Sequence, residues 1–501
     1  MKFSHSFLSF HLYLSLVIYL PLLNCLITST SDPSINSTMT MQIGPKFSYS
    51  NDTKKANETL SLPSEPKCPK SCRCTIESGT PNSLKGYTVS CSRLGLTIIP
   101  PSSQSPVETV TFDLSDNDIS QVKLFDHDYP NLTKLNLSIN SISTIEPKAF
   151  ESIPTLELLD LSFNKLSSIQ DMIFNNLNNV KTIDLSDNDI SKIAANSFDG
   201  QQWLEILILR GNNLKSLPED LFRNNERLRI LDLSHNSMYS LPDTLFHFTP
   251  ALTTIDLSEN QFNSVPSEDL IGATKLENLD ISANLMKKLD HESFSGLLSL
   301  KTLKINNLPQ LTEIDDYTFS YLHNLQHLEI KYNPRLNQLS SSAFFGITFT
   351  PINLTQVDLY GNQLSRLTEH TLPICNISRV DLRDNQWKCD CHFAWIKSCK
   401  HDDPIHQQIK CTSPLQLASL EIGAINVDQF TCPAEANSFS REIRLFRLFV
   451  VLFGVLTLIF MGFMVIYYLH KAKVIRSFGH KYQRMGSIHY VKDQTTDIVP
   501  E

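Results

Sequence analysis

Eleven cysteines are the residues best placed for covalent chemistry in this chain. Cys68, Cys72, Cys74 and Cys91 form one knot, and Cys389, Cys391, Cys399, Cys411 and Cys432 form a second. Cys375 stands ahead of the second knot and Cys25 sits in an apolar N-terminal run. Thiols this close together either hold zinc or oxidise in pairs, and the paired histidine spacing of a zinc site is missing. Signatures of catalysis are missing too: no G-x-S-x-G, phosphate-binding loop, H-E-x-x-H or dinucleotide fingerprint occurs. Aspartate, serine and histidine are plentiful, but they return with a fixed period, which marks positions of a scaffold. No catalytic residue, metal or cofactor is expected.

Compartment decides what the thiols do. Residues 2–24 are a lone lysine followed by a long apolar stretch, and "ITSTSD" after it suits signal-peptide cleavage near Thr30. A second apolar run, residues 448–469, has 22 residues and no charge. At about 1.5 Å per residue it reaches roughly 33 Å, enough to cross a hydrocarbon core of about 30 Å. Lys471, Lys473, Arg476, Lys481 and Arg484 follow it, against Arg441, Arg444 and Arg447 before it, a mild positive-inside bias. The expected topology is therefore single-pass type I, with the N-terminal side extracellular at the plasma membrane. Ten cysteines lie on that side and none in the tail, an even number that reads as disulfides. Seven glycan acceptors lie there as well: Asn36, Asn51, Asn57, Asn131, Asn136, Asn353 and Asn376.

Between the two knots an eleven-residue unit, L-x-x-L-x-L-x-x-N-x-L, returns twelve times. Its ninth place holds Asn117, Asn140, Asn164, Asn188, Asn212, Asn236, Asn260, Asn284, Asn333, Asn362 and Asn385, and once Leu308. The spacings are 23, seven of 24, then 25, 29 and 23. In x-L-x-L-x the residues alternate, so a short strand sends one set inward and the other outward. Leu231 and Leu233 point into the core, and Leu228, Met238 and Leu241 close the same unit. One unit cannot bury this face alone; stacked neighbours make a continuous core. The asparagine stands where the chain turns off the strand, where an amide can pair backbone groups that the turn strands. Phenylalanines 150, 174, 198, 222, 246 and 294 recur late in the unit and suggest a second, convex-side spine.

Period and cysteine knots together resemble the extracellular leucine-rich repeat family with cysteine-rich caps, of the kind found in Slit, the small leucine-rich proteoglycans and Toll-like ectodomains. "CPKSCRC…VSCSRLGLTIIP" (68–100) resembles the N-terminal cap and "NQWKCDCHFAWIKSC…CTSP…FTC" (385–432) the C-terminal one. The resemblance implies an α/β solenoid, a horseshoe of about twelve repeats, with disulfides Cys68–Cys74, Cys72–Cys91, Cys389–Cys411 and Cys391–Cys432. Cys375 and Cys399 are left over, and a bond between them is a guess. The expected organisation is a signal peptide (1–30), a disordered glycosylated arm (31–66), the N-terminal cap (67–108), the repeats (109–386) and the C-terminal cap (387–432). A stalk (433–447), the membrane helix (448–469) and a cytoplasmic tail (470–501) follow. Stalk and tail are too short for an immunoglobulin module or a Toll-type signalling domain.

If residues of the repeats carry function, they are the outward strand residues, on a face roughly 50 Å long if twelve strands stand about 4.8 Å apart. That extent suits a protein partner, with no role for nucleic acid, since the net charge is −9 and the pI near 5.9. The fifth place is aspartate in eight units: Asp113, Asp160, Asp184, Asp232, Asp256, Asp280, Asp358 and Asp381. Either this acidic column draws a basic partner, or aspartate is a generic solvated choice there. Unit five breaks it with Ile208, flanked by Ile206 and Arg210, with Leu158 and Ile230 nearby. These five residues are the expected partner-binding patch, unless Ile206 and Ile230 merely pack on one another. Lys304, His327, Glu329, Lys331 and Tyr332 change the charge further on, and a glycan on Asn136 would cover the N-terminal mouth of the face. The expected function is a cell-surface recognition molecule, an adhesion molecule or co-receptor. The alternative is a trafficking or regulatory subunit acting through its span and tail, where Tyr482 and Met485 of "YQRM" resemble a sorting motif. Basic neighbours that hold the tail to anionic lipid are the competing explanation of that tyrosine.

Opening the C-terminal cap tests the disulfide assignment. Cys391→Ser should cost about 2–5 kcal/mol and cause retention during export. Normal surface levels with an unchanged melting temperature would show that the cap does not need this bond.

Overall fold

The computed structural model describes residues 67–76, 86–346, 353–372, 374–399, 408–432 and 436–482. The signal segment, the arm with Asn36, Asn51 and Asn57, and the tail beyond Tyr482 with Met485 lie outside the described residues. Alternation of inward and outward residues gives fourteen short strands in one sheet, ordered as in the chain. They are β1 (Arg73–Ile76), β2 (Tyr87–Ser90), β3 (Thr109–Asp113), β4 (Lys134–Asn136), β5 (Leu158–Asp160), β6 (Thr182–Asp184) and β7 (Ile206–Ile208). Then come β8 (Ile230–Asp232), β9 (Thr254–Asp256), β10 (Asn278–Asp280), β11 (Thr302–Lys304), β12 (His327–Glu329), β13 (Gln356–Asp358) and β14 (Arg379–Asp381). β1 and β2 form an antiparallel hairpin. Every later pairing is parallel and, from β4 on, in strict register, so Leu207 stands beside Ile183 and Leu231. The twelve strands β3–β14 are the twelve repeats, and the protein is a leucine-rich repeat solenoid.

The inward residues are buried as the alternation requires: Leu231, Leu233, Leu228 and Met238 are fully enclosed. On the far side of the core the rings of Phe150, Phe174, Phe198 and Phe222 stack in sequence, with centroids 6.0, 5.8 and 6.4 Å apart. Phe246 and Leu270 continue the spine, and Phe294, Phe319 and Phe344 complete it at 5.8 and 4.7 Å. Phe319 and Phe344 escaped the 24-residue period because their unit has lengthened. The helical share of the α/β solenoid is slight. Among the described residues, return segments in the repeats are turns, two-residue strands such as Thr144–Ile145, the four-residue helix Ser267–Leu270 and the 3-10 helix Ile374–Asn376.

Asparagine joins the units. Asn188 Nδ2 donates to the carbonyls of Leu185 and Ser186 in its own turn, at 3.1 Å each, and to Leu161 of the preceding unit at 3.0 Å. Its Oδ1 accepts the Leu166 N–H, also of the preceding unit, at 3.0 Å. Asn140, Asn164, Asn212, Asn236, Asn260 and Asn284 repeat the pattern. At the exception, the Leu308 N–H is taken up by Asn333 Oδ1 at 2.8 Å, so the ladder spans the gap. The residue before each ladder position is left-handed in all twelve units, and ten of these are not glycine. Ile139 and Phe163 adopt this conformation at φ 53°, although a branched or bulky side chain disfavours it.

Both ends are closed. Cys68–Cys74 and Cys72–Cys91 close the N-terminal hairpin on itself ahead of the first repeat. Cys389–Cys411, Cys391–Cys432 and Cys375–Cys399 tie the C-terminal cap. Trp387 is fully buried in that cap, donates through Nε1 to the Leu382 carbonyl at 2.7 Å and stacks on Phe393. A helix spans Ala436–Tyr482, starting within the expected stalk and continuing into the expected tail. Its stretch Leu448–Lys471, with mean hydropathy 2.8, is long and apolar enough to cross a membrane.

Removing one rung should show what the ladder carries. Asn188→Ala leaves three carbonyls and one N–H short of a partner, and should cost at least about 2 kcal/mol in thermal or denaturant unfolding. Asn188→Asp should be worse, because it turns the donor into a carboxylate facing three carbonyl oxygens. Equal stability of the aspartate and asparagine forms would refute this account.

Candidate functional site: the outward face of the long sheet

In-register stacking converts each outward place of the unit into a column, and each column has its own consensus. The fifth-place aspartates close strands β3, β5, β6, β8, β9, β10, β13 and β14. In most units a serine two residues on completes a turn. Asp184 Oδ1 accepts the Ser186 N–H at 2.9 Å and its hydroxyl at 2.6 Å. Asp160–Ser162 and Asp232–Ser234 do the same, and Asn136–Ser138 is the amide version. The acidic column is therefore partly structural, which is why "LDLS" recurs. It is also half-buried and crowded. Burial and the neighbouring Asp160 carboxylate push Asp184 up to about 6. Burial, then Asp280 and Asp232, push Asp256 up to about 7. Asp160 and Asp232 are raised as well, chiefly by burial.

Unit five breaks both columns at once. Ile208 stands between Asp184 and Asp232 in register, and Arg210 replaces the serine. Ile206 pairs with Ile230 on β8 and with Thr182 on β6, and all three isoleucines are half-buried. Leu158 is not contiguous with them, because Thr182 stands between it and Ile206. Arg210 helps hold Asp232 down and, after burial, helps hold the His235 imidazole below its ordinary value, although His235 Nε2 lies 2.6 Å from Glu259.

A second departure, in the seventh column, is visible only once the units are stacked. Serine gives way to Asn306, Lys331, Tyr360 and Arg383 in the last four units. Lys331 lies 2.9 Å from Glu329 and 3.6 Å from Asp358, and Lys304 lies 3.4 Å from Asp280. Tyr332 and Tyr360 meet edge to face at 5.1 Å, and the Arg383 guanidinium lies 5.4 Å from the Tyr360 ring. Gly361 makes room: a Cβ there would come within 2.9 Å of the Tyr332 ring. Arg383 is held by Asp381 and by Gln408 of the cap. An open cleft of about 570 Å³ between last repeat and cap is lined by Tyr360, Arg383, Gln408, Lys410 and Glu421 among others. Sequence reasoning named Tyr332 and Lys331 but missed Tyr360 and Arg383, since the seventh-place serine looked like filler until its hydrogen bond to the aspartate was seen.

The remaining candidates are dispersed. Asn136 lies on β4 with its Oδ1 committed to Ser138, while Asn131, Asn353 and Asn376 stand on segments that precede strands. Tyr482 is the last residue of the long helix.

Comparison with known proteins agrees with this geometry. A leucine-rich repeat family profile matches residues 110–166, 154–202 and 202–262, and the BspA type leucine-rich repeat region, in six copies, matches 239–377. The chain is similar to SLIT and NTRK-like protein 6 of Mus musculus, 33% identical over 100 residues, covering 18% of this chain and 11% of that protein. It is similar to leucine-rich repeat-containing protein 3 of Danio rerio, 40% identical over 96 residues, covering 19% of this chain and 32% of that protein. The chain thus spans a third or less of these curated relatives. Among solved structures, a chain of the octameric complex of Latrophilin 3, Unc5D and FLRT2 superposes with TM-score 0.54 at 21% identity, covering 73% of this chain and 100% of that one. With repeats and ladder in place and a disulfide cap at each end, the chain belongs to the leucine-rich repeat family.

Proposed function

We propose that this protein is a cell-surface recognition molecule, an adhesion molecule or co-receptor, that binds a protein partner on the outward face of its long sheet. It stands in the plasma membrane with the repeats outside. The observation that carries this reading is a rigid face of twelve in-register strands that departs from its own consensus in two places, Ile206–Ile208–Arg210 with Ile230, and Lys331–Tyr332–Tyr360–Arg383. Consensus positions hold the fold; departures that leave the fold intact are free to serve a partner. A face roughly 50 Å long offers the area of a protein interface, and aromatic and arginine side chains are the residues that anchor such interfaces. FLRT2, whose repeats are part of a complex with other proteins, supports the same reading.

Reversion to consensus tests it. Ile206→Thr takes the residue of Thr182, Thr254 and Thr302; Ile208→Asn takes that of Asn136; Arg210→Ser restores the capping serine. The triple variant should reach the surface normally and bind a partner captured by the wild-type ectodomain at least about tenfold more weakly, about 1.4 kcal/mol. Unchanged affinity would remove this patch from the interface. Exchange of the repeats for an unrelated ectodomain separates the trafficking reading, since activity would then survive.

The acidic column also fixes a pH dependence. Asp184 and Asp256 titrate higher in the folded chain than the roughly 3.9 of a free aspartate, so the folded state holds extra protons between those values. Stability should therefore rise as pH falls from about 7.5 to about 5, by a few degrees of Tm, the effect of about 1 kcal/mol in a domain of this size. Asp256→Asn should flatten the profile. A Tm that falls steadily over that range would contradict it.

A further inference from the structure

One place of the unit lies three residues ahead of each repeat strand, on the edge where the chain rises to the long sheet. Three glycan acceptors share it: Asn131 ahead of β4, Asn353 ahead of β13 and Asn376 ahead of β14. The first two stand in the same sequence, Asn-Leu-Thr. This edge therefore offers sugar attachment near both of its ends, and no acceptor occurs between Asn136 and Asn353. In that acceptor-free stretch the place is polar or small, as in Thr155, Asn179, Ala251 and Ser299, except in unit five, where it is Trp203. Trp203 is 44% exposed, and the Arg227 guanidinium lies over its ring, 3.7 Å from the centroid.

The tryptophan continues a line of departures already seen on the sheet. Units five and six meet at three outward places in turn: Trp203 with Arg227, Glu205 with Arg229 in an ion pair at 3.7 Å, and Ile206 with Ile230 in register. Ile208 and Arg210 prolong the line across the face. Tryptophan and arginine are the side chains that most often anchor a protein interface. A ring braced by a neighbouring cation also has little freedom left to lose on binding. Charge identifies the occupant. Asp184 and Asp232 flank Ile208 in register, and Arg210 bears on Asp232 only from beyond ion-pair distance. In the later units Asp280, Glu329, Asp358 and Asp381 are answered directly by Lys304, Lys331 and Arg383. Those units neutralise their own column. Unit five instead leaves a carboxylate on either side of an apolar window, the complement of a surface whose apolar contact is flanked by cations.

We infer that recognition at unit five runs from Ile208 over the acceptor-free edge to Trp203, and that its partner is an extracellular protein whose apolar contact is flanked by basic side chains. The inference rests on the recognition role proposed above for the long sheet. A sugar used as a wedge tests it on cells displaying the full-length chain, probed with a panel of soluble cell-surface and secreted ectodomains applied one at a time. Trp203→Asn with Glu205→Thr writes the Asn-Leu-Thr of 131–133 and 353–355 into unit five, at a place where the fold already accommodates it. This pair should abolish binding of the ectodomain that wild type captures. Trp203→Asn alone adds no sugar and should weaken binding at least about tenfold. Ser299→Asn with Lys301→Thr sets a sugar on the same edge four units on, roughly 19 Å away, and should leave binding unchanged. Asp184→Asn keeps its turn, as Asn136 does, and should weaken binding at least about threefold and reduce its sensitivity to salt. Binding that survives both Trp203 variants but is lost on reversion of Ile206, Ile208 and Arg210 would strike out the edge and leave the sheet as the site. Equal loss from the two sugars, or binding indifferent to salt and to Asp184→Asn, would also overturn the proposal. A panel in which nothing binds wild type would count against recognition itself. If the sugar at unit five blocks export, Trp203→Asn alone decides the edge.

Discussion

The ladder of asparagine amides is the constraint on which the rest of this molecule depends. A chain leaving a three-residue strand must turn at once, and the turn strands carbonyls and an N–H inside the core, where an unpaired polar group costs about 1–3 kcal/mol. One side chain answers all of them: Asn188 reaches two carbonyls of its own unit, one of the unit before, and one N–H of that same neighbour. Because half of each rung is made to the adjacent unit, the ladder closes turns and fixes the register between strands at once. It also explains the left-handed residue ahead of every rung. Ile139, Phe163 and Tyr332 adopt a conformation that costs an ordinary residue about 1 kcal/mol or more, held by bonds on either side that over-determine it.

Strict register has a further consequence. Equivalent residues stand beside one another in columns, so any charge placed in a consensus position is repeated at strand spacing. Asp184 gains two hydrogen bonds from Ser186 and Asp256 one from Ser258, yet both are driven toward neutrality by burial and by their own neighbours. A fold made of copies accumulates such repulsion, and Ile208 interrupts it. The same residue can thus relieve a structural conflict and open an apolar window in a polar face. At the other end, Lys304 and Lys331 answer Asp280, Glu329 and Asp358 directly, so the C-terminal units neutralise the column by pairing.

The departures on the long sheet differ in what they replace. Ile208 and Arg210 stand where the neighbouring units carry an aspartate and a serine that hydrogen-bond to one another, so unit five gives up a strand-end turn. Ile206 stands where the preceding strand carries Thr182, and it meets Ile230 on the following one, so there the change adds apolar contact across strands.

The sequence by itself determined the number of repeats, the strand in each, the ladder residue and the apolar membrane-length helix. Each of these is a local pattern of period 2, 24 or uninterrupted apolarity, and a local pattern needs no knowledge of what lies beside it. It also marked Ile206, Ile208 and Arg210, because they break that pattern within one unit. Only the tertiary structure decided what depends on neighbours. Stacking set Thr182 between Leu158 and Ile206, brought Tyr360 to Tyr332 and set Arg383 beside Tyr360. It also placed Phe319 and Phe344 in the spine despite their shifted spacing. These contacts join residues 23 to 28 positions apart, and a column exists only after separate units have been set side by side by the hydrogen bonds between them.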